Sequence, residues 1–290
     1  MCKLIKLNNR SLLSLSGPDS EIFLQNLITN DMNNLSDNTS IYSALLTPQG
    51  KFLFDFFLVK SKDEIYIDCN SSQSVSLLEK LLSYKLRSKI DISIKSKLSV
   101  YALIFKDKQN SIPMENRLGF TRIEQQNLFY IDPRSINLGI RIIGYKHNIE
   151  KTFNNSNIKK GTIEDWEKIR ITSVIPEPIK DMEPNKSFLL EYNFENLYGV
   201  SFTKGCFIGQ ENTARQKNRG TLKKELVAVS INGNPPKIGT EITLEGKYVG
   251  IMKSSLMQIG LAILSKKAIS EAIQEEKDFL AGESIIRLKK

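Results

Sequence analysis

Short apolar runs separated by turn residues constrain this chain most. Ser40 to Leu46, Lys51 to Lys60 and Glu64 to Cys69 each have strand length, with Pro48-Gln49-Gly50 and Ser61-Lys62-Asp63 standing between them. Runs joined by turns this short predict an antiparallel meander, because parallel neighbours need a much longer crossover. The same grammar predicts a hairpin of Leu4 to Leu7 with Ser11 to Leu15 about Asn8-Asn9, since asparagine tolerates positive φ. Further strands are expected at Ile90 to Ile94, Leu98 to Phe105, Leu128 to Ile131 and Leu138 to Gly144. From Leu226 onward the pattern becomes a series of still shorter runs: Leu226 to Ile231, Thr240 to Leu244, Lys247 to Lys253, Ile259 to Leu264 and Ile285 to Leu288. Asn232-Gly233 and Glu245-Gly246 supply turns there, which predicts a small C-terminal β-barrel and divides the chain at 1–225 and 226–290.

Helices are expected between these strands, giving an α+β chain. Gly17-Pro18-Asp19 starts one in which Phe23 with Leu27, and Leu24 with Ile28, are i,i+4 apolar pairs; Thr29-Asn30-Asp31 ends it. Ser74 to Arg87 places Val75, Leu78, Leu82 and Leu86 at helical spacing. Thr162-x-x-Asp165 has capping-box spacing, with Asp in place of Glu, ahead of Ile163, Trp166 and Ile169 on one face; Pro176 and Pro178 stop that helix. Lys266 to Lys277 is expected to be a helical cover on the barrel. The polar stretches 106–127 and 147–160 are expected to be a loop and a linker.

Composition excludes several functions. At 290 residues and 40% hydrophobic the chain can bury real cores, yet its longest apolar stretch, Phe52 to Val59, is broken by Asp55 and too short to cross a bilayer. Residues 1–7 contain no continuous apolar segment of a secretory signal, so a cytoplasmic protein is expected. Cys2, Cys69 and Cys206 are odd in number and widely spaced, which fits neither a disulfide framework nor the four-cysteine pattern of a resident cluster. With His147 the single histidine, no metal site and no Ser-His-Asp triad is expected. The net charge of +9 is spread along the chain without a basic stripe interleaved with aromatics, so a lysine-rich surface is favoured over direct nucleic-acid binding.

The segment Lys204-Gly205-Cys206-Phe207-Ile208-Gly209-Gln210-Glu211 concentrates the chemistry. Glycine on both sides of Cys206 permits unusual backbone angles and close approach of a ligand. By itself a lone cysteine reads most simply as a small inert hydrophobe; the alternative is a thiolate favoured by Lys204.

That segment, continued by Asn212-Thr213-Ala214-Arg215, resembles the signature of YgfZ-type proteins. The stretch from Leu190-Glu191 through Gly199-Val200-Ser201-Phe202-Thr203 is similar to the mitochondrial iron–sulfur assembly branch of that family. Phe23-Leu24-Gln25, Thr29-Asn30-Asp31 and Thr47-Pro48-Gln49-Gly50-Lys51 resemble its N-terminal elements. Asp132-Pro133-Arg134, Leu138-Gly139-x-Arg141 and Arg170 before Ile175-Pro176-Glu177 resemble its middle ones. The resemblance implies a GcvT-like multi-domain ring with a C-terminal barrel and tetrahydrofolate, or a derivative, as cofactor. It implies an accessory role in assembling or repairing [4Fe–4S] clusters of client enzymes, tRNA-modifying ones included, with client enzymes or assembly proteins as partners and no membrane. Cys206 is then the reactive thiol with Lys204 beside it, and Gln210, Glu211 and Arg215 are cofactor-binding. Arg215 would pair with folate's carboxylates or remain a solvated charge. Asn30 and Asp31 are ligand contacts or only a helix-ending loop. Asp55 is a channel-wall group or an edge-strand carboxylate turned to solvent.

The aminomethyltransferase branch of the same fold carries Gly-Tyr-Thr-Gly-Glu-Asp-Gly where this chain has Arg117-Leu118-Gly119-Phe120-Thr121-Arg122-Ile123-Glu124. Its Arg-Leu-Glu-Ala-Gly is replaced by Arg170-Ile171-Thr172-Ser173-Val174, and Val174 stands where YgfZ-type proteins usually have glycine. Folate-dependent one-carbon transfer is therefore the alternative reading rather than the leading one. Direct tRNA binding, suggested by charge, is the last.

Overall fold

A computed structural model of the chain describes residues 2–105, 114–154, 158–220 and 222–289. Two compact units emerge: Met1–Leu46, Leu53–Trp166 and Asn196–Ile208 form the first; Thr47–Phe52, Glu167–Glu195 and Gly209–Lys290 form the second.

In chain order the first stretch gives β1 (Cys2–Lys6), β2 (Arg10–Ser16), α1 (Ser20–Leu27), β3 (Ile41–Leu46), β4 (Phe52–Ser61), β5 (Glu64–Asn70) and α2 (Ser74–Lys85). There follow β6 (Asp91–Ile94), β7 (Leu98–Phe105), β8 (Thr121–Glu124), β9 (Asn127–Ile131), β10 (Ile140–Tyr145), α3 (Lys146–Phe153) and β11 (Lys159–Lys160). They build two sheets, β3-β4-β5-β2-β6 and β11-β1-β7-β10-β9-β8. The meander expected from the turns is present, with β4 antiparallel to β5. The hairpin about Asn8-Asn9 is not: β1 pairs with β7 and β11, whereas β2 pairs with β5 and β6. Asparagine permits the turn, but partners far away in sequence decide which sheet each strand joins.

Strand alternation sorts β4 by face. Phe54, Phe56 and Leu58 pack into the core formed with Phe23, Leu24 and Leu27 of α1 and Leu77 and Leu81 of α2. Asp55 and Phe57 take the opposite face. In α2 the expected stripe is displaced: Val75, Leu82 and Leu86 are exposed, and Ser74, Leu77 and Leu81 are the buried residues. Adjacent leucine pairs at 77–78 and 81–82 offer two overlapping stripes, and only tertiary packing chooses between them.

The expected loop at 106–127 holds β8 and the start of β9, while its residues 106–113 lie outside the described ones. The expected linker at 147–160 carries most of α3, which buries Ile149 in the core of the six-stranded sheet.

α4 (Ile163–Thr172) runs from the first unit into the second, where α5 (Pro178–Asp181) and α6 (Gln210–Arg219) follow. Its start uses the reciprocal capping box: Asp165 N donates to Thr162 Oγ1 at 3.3 Å, and Thr162 N to Asp165 Oδ2 at 3.0 Å. The C-terminal strands are β12 (Lys224–Asn232), β13 (Glu241–Leu244), β14 (Lys247–Leu256), β15 (Ile259–Ser265), β16 (Phe279–Ala281) and β17 (Ser284–Leu288), with α7 (Lys266–Gln274). They close as β12-β15-β14-β13-β16-β17, the barrel expected from the turn pattern. α7 covers it through Ala268 and Ala272. Within the barrel the sequence reading missed only β16, three residues long and below the length at which alternation is legible.

Candidate functional site

In the first unit, the loop before Cys206 is held by the turn that follows α1. Ser201 N donates to Thr29 O at 2.9 Å, Thr29 Oγ1 to Gly199 O at 2.6 Å, and Asn30 Nδ2 to Tyr198 O at 2.8 Å. Thr29-Asn30-Asp31 and the signature, recognised separately in the sequence, thus form one structure.

Lys204 is the central fastener. Its ammonium is buried and donates to Gln25 O at 2.7 Å, Ile28 O at 2.8 Å and Asn30 O at 2.7 Å. Two of these carbonyls belong to the end of α1, where the last C=O groups lack helical partners and the dipole favours a cation. Burial pulls the Lys204 ammonium down to about 8, against the opposing charge of Asp31. All three donors of the amine are spent on carbonyls, which leaves none to donate to the Cys206 sulfur. It is a structural plug.

On the other side of Cys206, Phe207 is buried, and Ile208 packs on the α1–α2 core. A Cβ at Gly205 would meet nothing within 4 Å. Between the ammonium plug and this apolar anchor the Cys206 side chain is exposed. Cys69, by contrast, is buried, and burial pushes its thiol up to about 12, which keeps it an inert thiol. Among the described residues no group of three or more His, Cys, Asp or Glu side chains is placed to hold a metal ion.

Of the residues expected to bind folate, Asn30, Asp31 and Asp55 have partners within the first unit. Asn30 donates both amide protons, to Tyr42 O at 2.7 Å and to Tyr198 O, while its Oδ1 accepts from Asp31 N at 2.8 Å. Asp31 caps the short 3₁₀ turn Met32–Asn34 through Asn33 N and accepts from Gln25 Nε2 at 3.0 Å. Asp55 is 2% exposed on a central strand and accepts from Tyr42 Oη at 3.1 Å, which removes the solvent-facing reading. Asn30 and Asp31 are thus committed to the scaffold of the loop.

Gln210, Glu211 and Arg215 lie in the second unit on α6, where Glu211 and Arg215 are exposed and Gln210 is half-buried. Gly209 begins α6 in the left-handed region, at φ 83°, which explains a glycine there. Asn212 Nδ2 donates to Gln49 O at 2.7 Å, so the Pro48-Gln49-Gly50 turn seats the helix start.

The first unit also contains a buried charge network that the sequence reading passed over in part. Asp68 accepts from Arg10 Nε at 2.7 Å, Tyr130 Oη at 2.7 Å and Arg141 Nη1 at 2.8 Å. Asp132 takes the other edge of Arg141 at 3.0 Å and a bidentate pair from Arg134 at 3.0 and 2.9 Å. The three guanidiniums surround the Phe57 ring at 5.4, 4.7 and 4.1 Å for Arg10, Arg134 and Arg141. The signal for Asp68 was the one used for Asp55: a charge interrupting an apolar strand, Ile65-Tyr66-Ile67-Asp68-Cys69.

Comparison with known proteins agrees with this architecture. The fold is that of the glycine cleavage system aminomethyltransferase T from Bartonella henselae, with a TM-score of 0.79 over 100% of this chain and 85% of that one, at 14% identity. Residues 223–288 match the CAF17 C-terminal β-barrel domain. The GcvT-like fold and barrel expected from the resemblance are therefore present. The chain is 29% identical over 286 residues to "Iron-sulfur cluster assembly factor IBA57, mitochondrial" of Mus musculus, covering 91% of this chain and 78% of the relative. It is 28% identical over 284 residues to the Homo sapiens protein of the same name, with the same coverage. A Dictyostelium discoideum homolog is 31% identical over 256 residues, 78% of this chain and 62% of the relative. These relatives are named mitochondrial, which overturns the cytoplasmic expectation; compartment is set by address segments that receptors read, not by the composition of a folded domain. Over most of its length the chain is thus similar to iron–sulfur cluster assembly factors, built on the aminomethyltransferase fold and ending in a CAF17-type barrel.

Proposed function

We propose that this protein is an iron–sulfur cluster assembly factor and that Cys206 is the thiol through which it acts. The observation that carries the reading is the exposed Cys206 side chain between two buried anchors, Lys204 and Phe207. The names of the relatives supply the reaction class.

A cysteine on a freely moving loop samples many positions, whereas one fixed on both sides is presented in a defined place at low entropic cost to a partner. A lone thiol provides one of the four ligands a [4Fe–4S] cluster needs. Since no group of three or more His, Cys, Asp or Glu side chains is gathered to hold a metal ion among the described residues, the cluster is cargo, held chiefly by a partner and touched here by one thiolate. An assembly protein or a [4Fe–4S] client enzyme is the partner this geometry suits. A fold shared with an aminomethyltransferase at 14% identity does not carry that enzyme's activity over.

The test is functional replacement. Cells lacking their endogenous assembly factor, supplied with this protein, should regain the activity of [4Fe–4S] enzymes. Unchanged activity with the protein present and folded would overturn the assignment.

A further inference from the structure

Lys253 lies in β14 of the barrel, in the second unit. There the ladder to β15 slips: Met252 pairs with Ala262 and Ser255 with Gly260, leaving Lys253 and Ser254 together opposite Leu261. An extra residue of this kind is a β-bulge, which breaks strand alternation and re-aims a side chain. The bulge is pinned, because Ser254 donates from N at 2.7 Å and from Oγ at 2.6 Å to Asp181 Oδ1.

Lys253 is 4% exposed, and its ammonium lies 5.9 Å from the centre of the Tyr192 ring. Among the described residues it has no hydrogen bond and no ion pair. The nearby carboxylates are engaged elsewhere. Asp181 Oδ2 accepts from Arg170 Nη1 at 2.9 Å and Glu177 N at 2.7 Å, and Glu183 pairs with Lys186 at 3.0 Å. Burial lowers the Lys253 ammonium, and the charge of Lys224 at the start of β12 adds to this against Glu183 and Asp181. A desolvated ammonium without acceptors is unfavourable, and an arriving anion removes that cost while relieving repulsion from Lys224. A phosphate and a carboxylate share this chemistry.

We infer that the β14 bulge builds an oxyanion site at Lys253, on the barrel and independent of Cys206. The probes are inorganic phosphate and glutarate, compared with chloride at equal ionic strength so that general screening cancels. In wild type, one of the two should raise the Lys253 ammonium titration, followed by NMR of labelled lysine, and should raise Tm with saturation; the one that does so names the oxyanion. Lys253→Met, which removes a buried charge and should fold at least as stably, should bind that oxyanion about tenfold more weakly or worse. Two results overturn the inference: no saturable response to either anion in wild type, or the same response in Lys253→Met. Neither touches the Cys206 reading, because the measurement contains no cluster and no partner.

Discussion

Lys204 and Val174 show how single residues set the local geometry. Replacing Lys204 with Met keeps the length of the side chain and leaves three carbonyls without their donor. Each unsatisfied buried carbonyl costs about 1–3 kcal/mol, partly offset by no longer burying a charge, so a net loss of about 2 kcal/mol is expected. Urea unfolding checks the magnitude, and hydrogen exchange at Ser201 N, bonded to Thr29 O, should report early loosening of the loop. If Lys204 acted only as a surface charge, neither measurement would move. Val174 adopts φ 55°, a region costly for a β-branched residue. Val174→Gly should therefore raise stability by about 0.5–1 kcal/mol, after allowing for the extra freedom of glycine when unfolded. A thermal shift upward confirms it; a downward shift would mean that lost packing outweighs the strain.

At the scale of elements, α6 depends on a glycine outside it. Gly50 has φ 74°, and a Cβ there would come within 2.9 Å of Gly209 O and 3.0 Å of the Asn212 Cβ. Gly50→Ala should displace the start of α6 and cost about 2 kcal/mol, read as a lower urea midpoint and faster exchange of the α6 amides. The elements themselves were largely legible: α1, the β3–β5 meander and five of the six barrel strands follow from period, length and turn residues. What failed needed information from far along the chain. The choice of sheet for β1 and β2, and the face of α2 that is buried, are set by distant partners rather than by Asn8-Asn9 or the leucine spacing. Lys204 looked like a neighbour for Cys206 because they are two apart in sequence. Its actual partners lie 174 to 179 residues away.

For the molecule as a whole, the Asp68 network joins the two sheets of the first unit: Asp68 and Arg10 come from the five-stranded sheet, Tyr130 and Arg141 from the six-stranded one. Removing one partner of a buried pair strands the others, so Asp68→Asn should cost about 3–5 kcal/mol at neutral pH. Burial alone would raise the Asp68 carboxyl, but Arg10 and Arg141 hold it below its ordinary 3.8. Burial acts likewise on Asp132, which Arg134 and Arg141 keep low. A carboxylate depressed in the folded state contributes stability above its unfolded value and loses it as pH falls through the folded one. Below about pH 4 wild type should therefore lose stability, and Asp68→Asn should lose less over the same range. Denaturant titrations at pH 7 and pH 3 decide this; equal acid losses in both proteins would place the sensitivity elsewhere. The same network bears on recognition, because Asp132, Arg134 and Arg141 carry family resemblance yet serve to hold sheets together. Of the three cysteines, Cys206 is the exposed one, and the proposed function rests on it. The most direct measurement is the activity of [4Fe–4S] enzymes in cells lacking their endogenous factor and supplied with Cys206→Ala at wild-type abundance. A folded variant that fails to restore activity is the expected result, and full restoration would contradict the role assigned to this thiol.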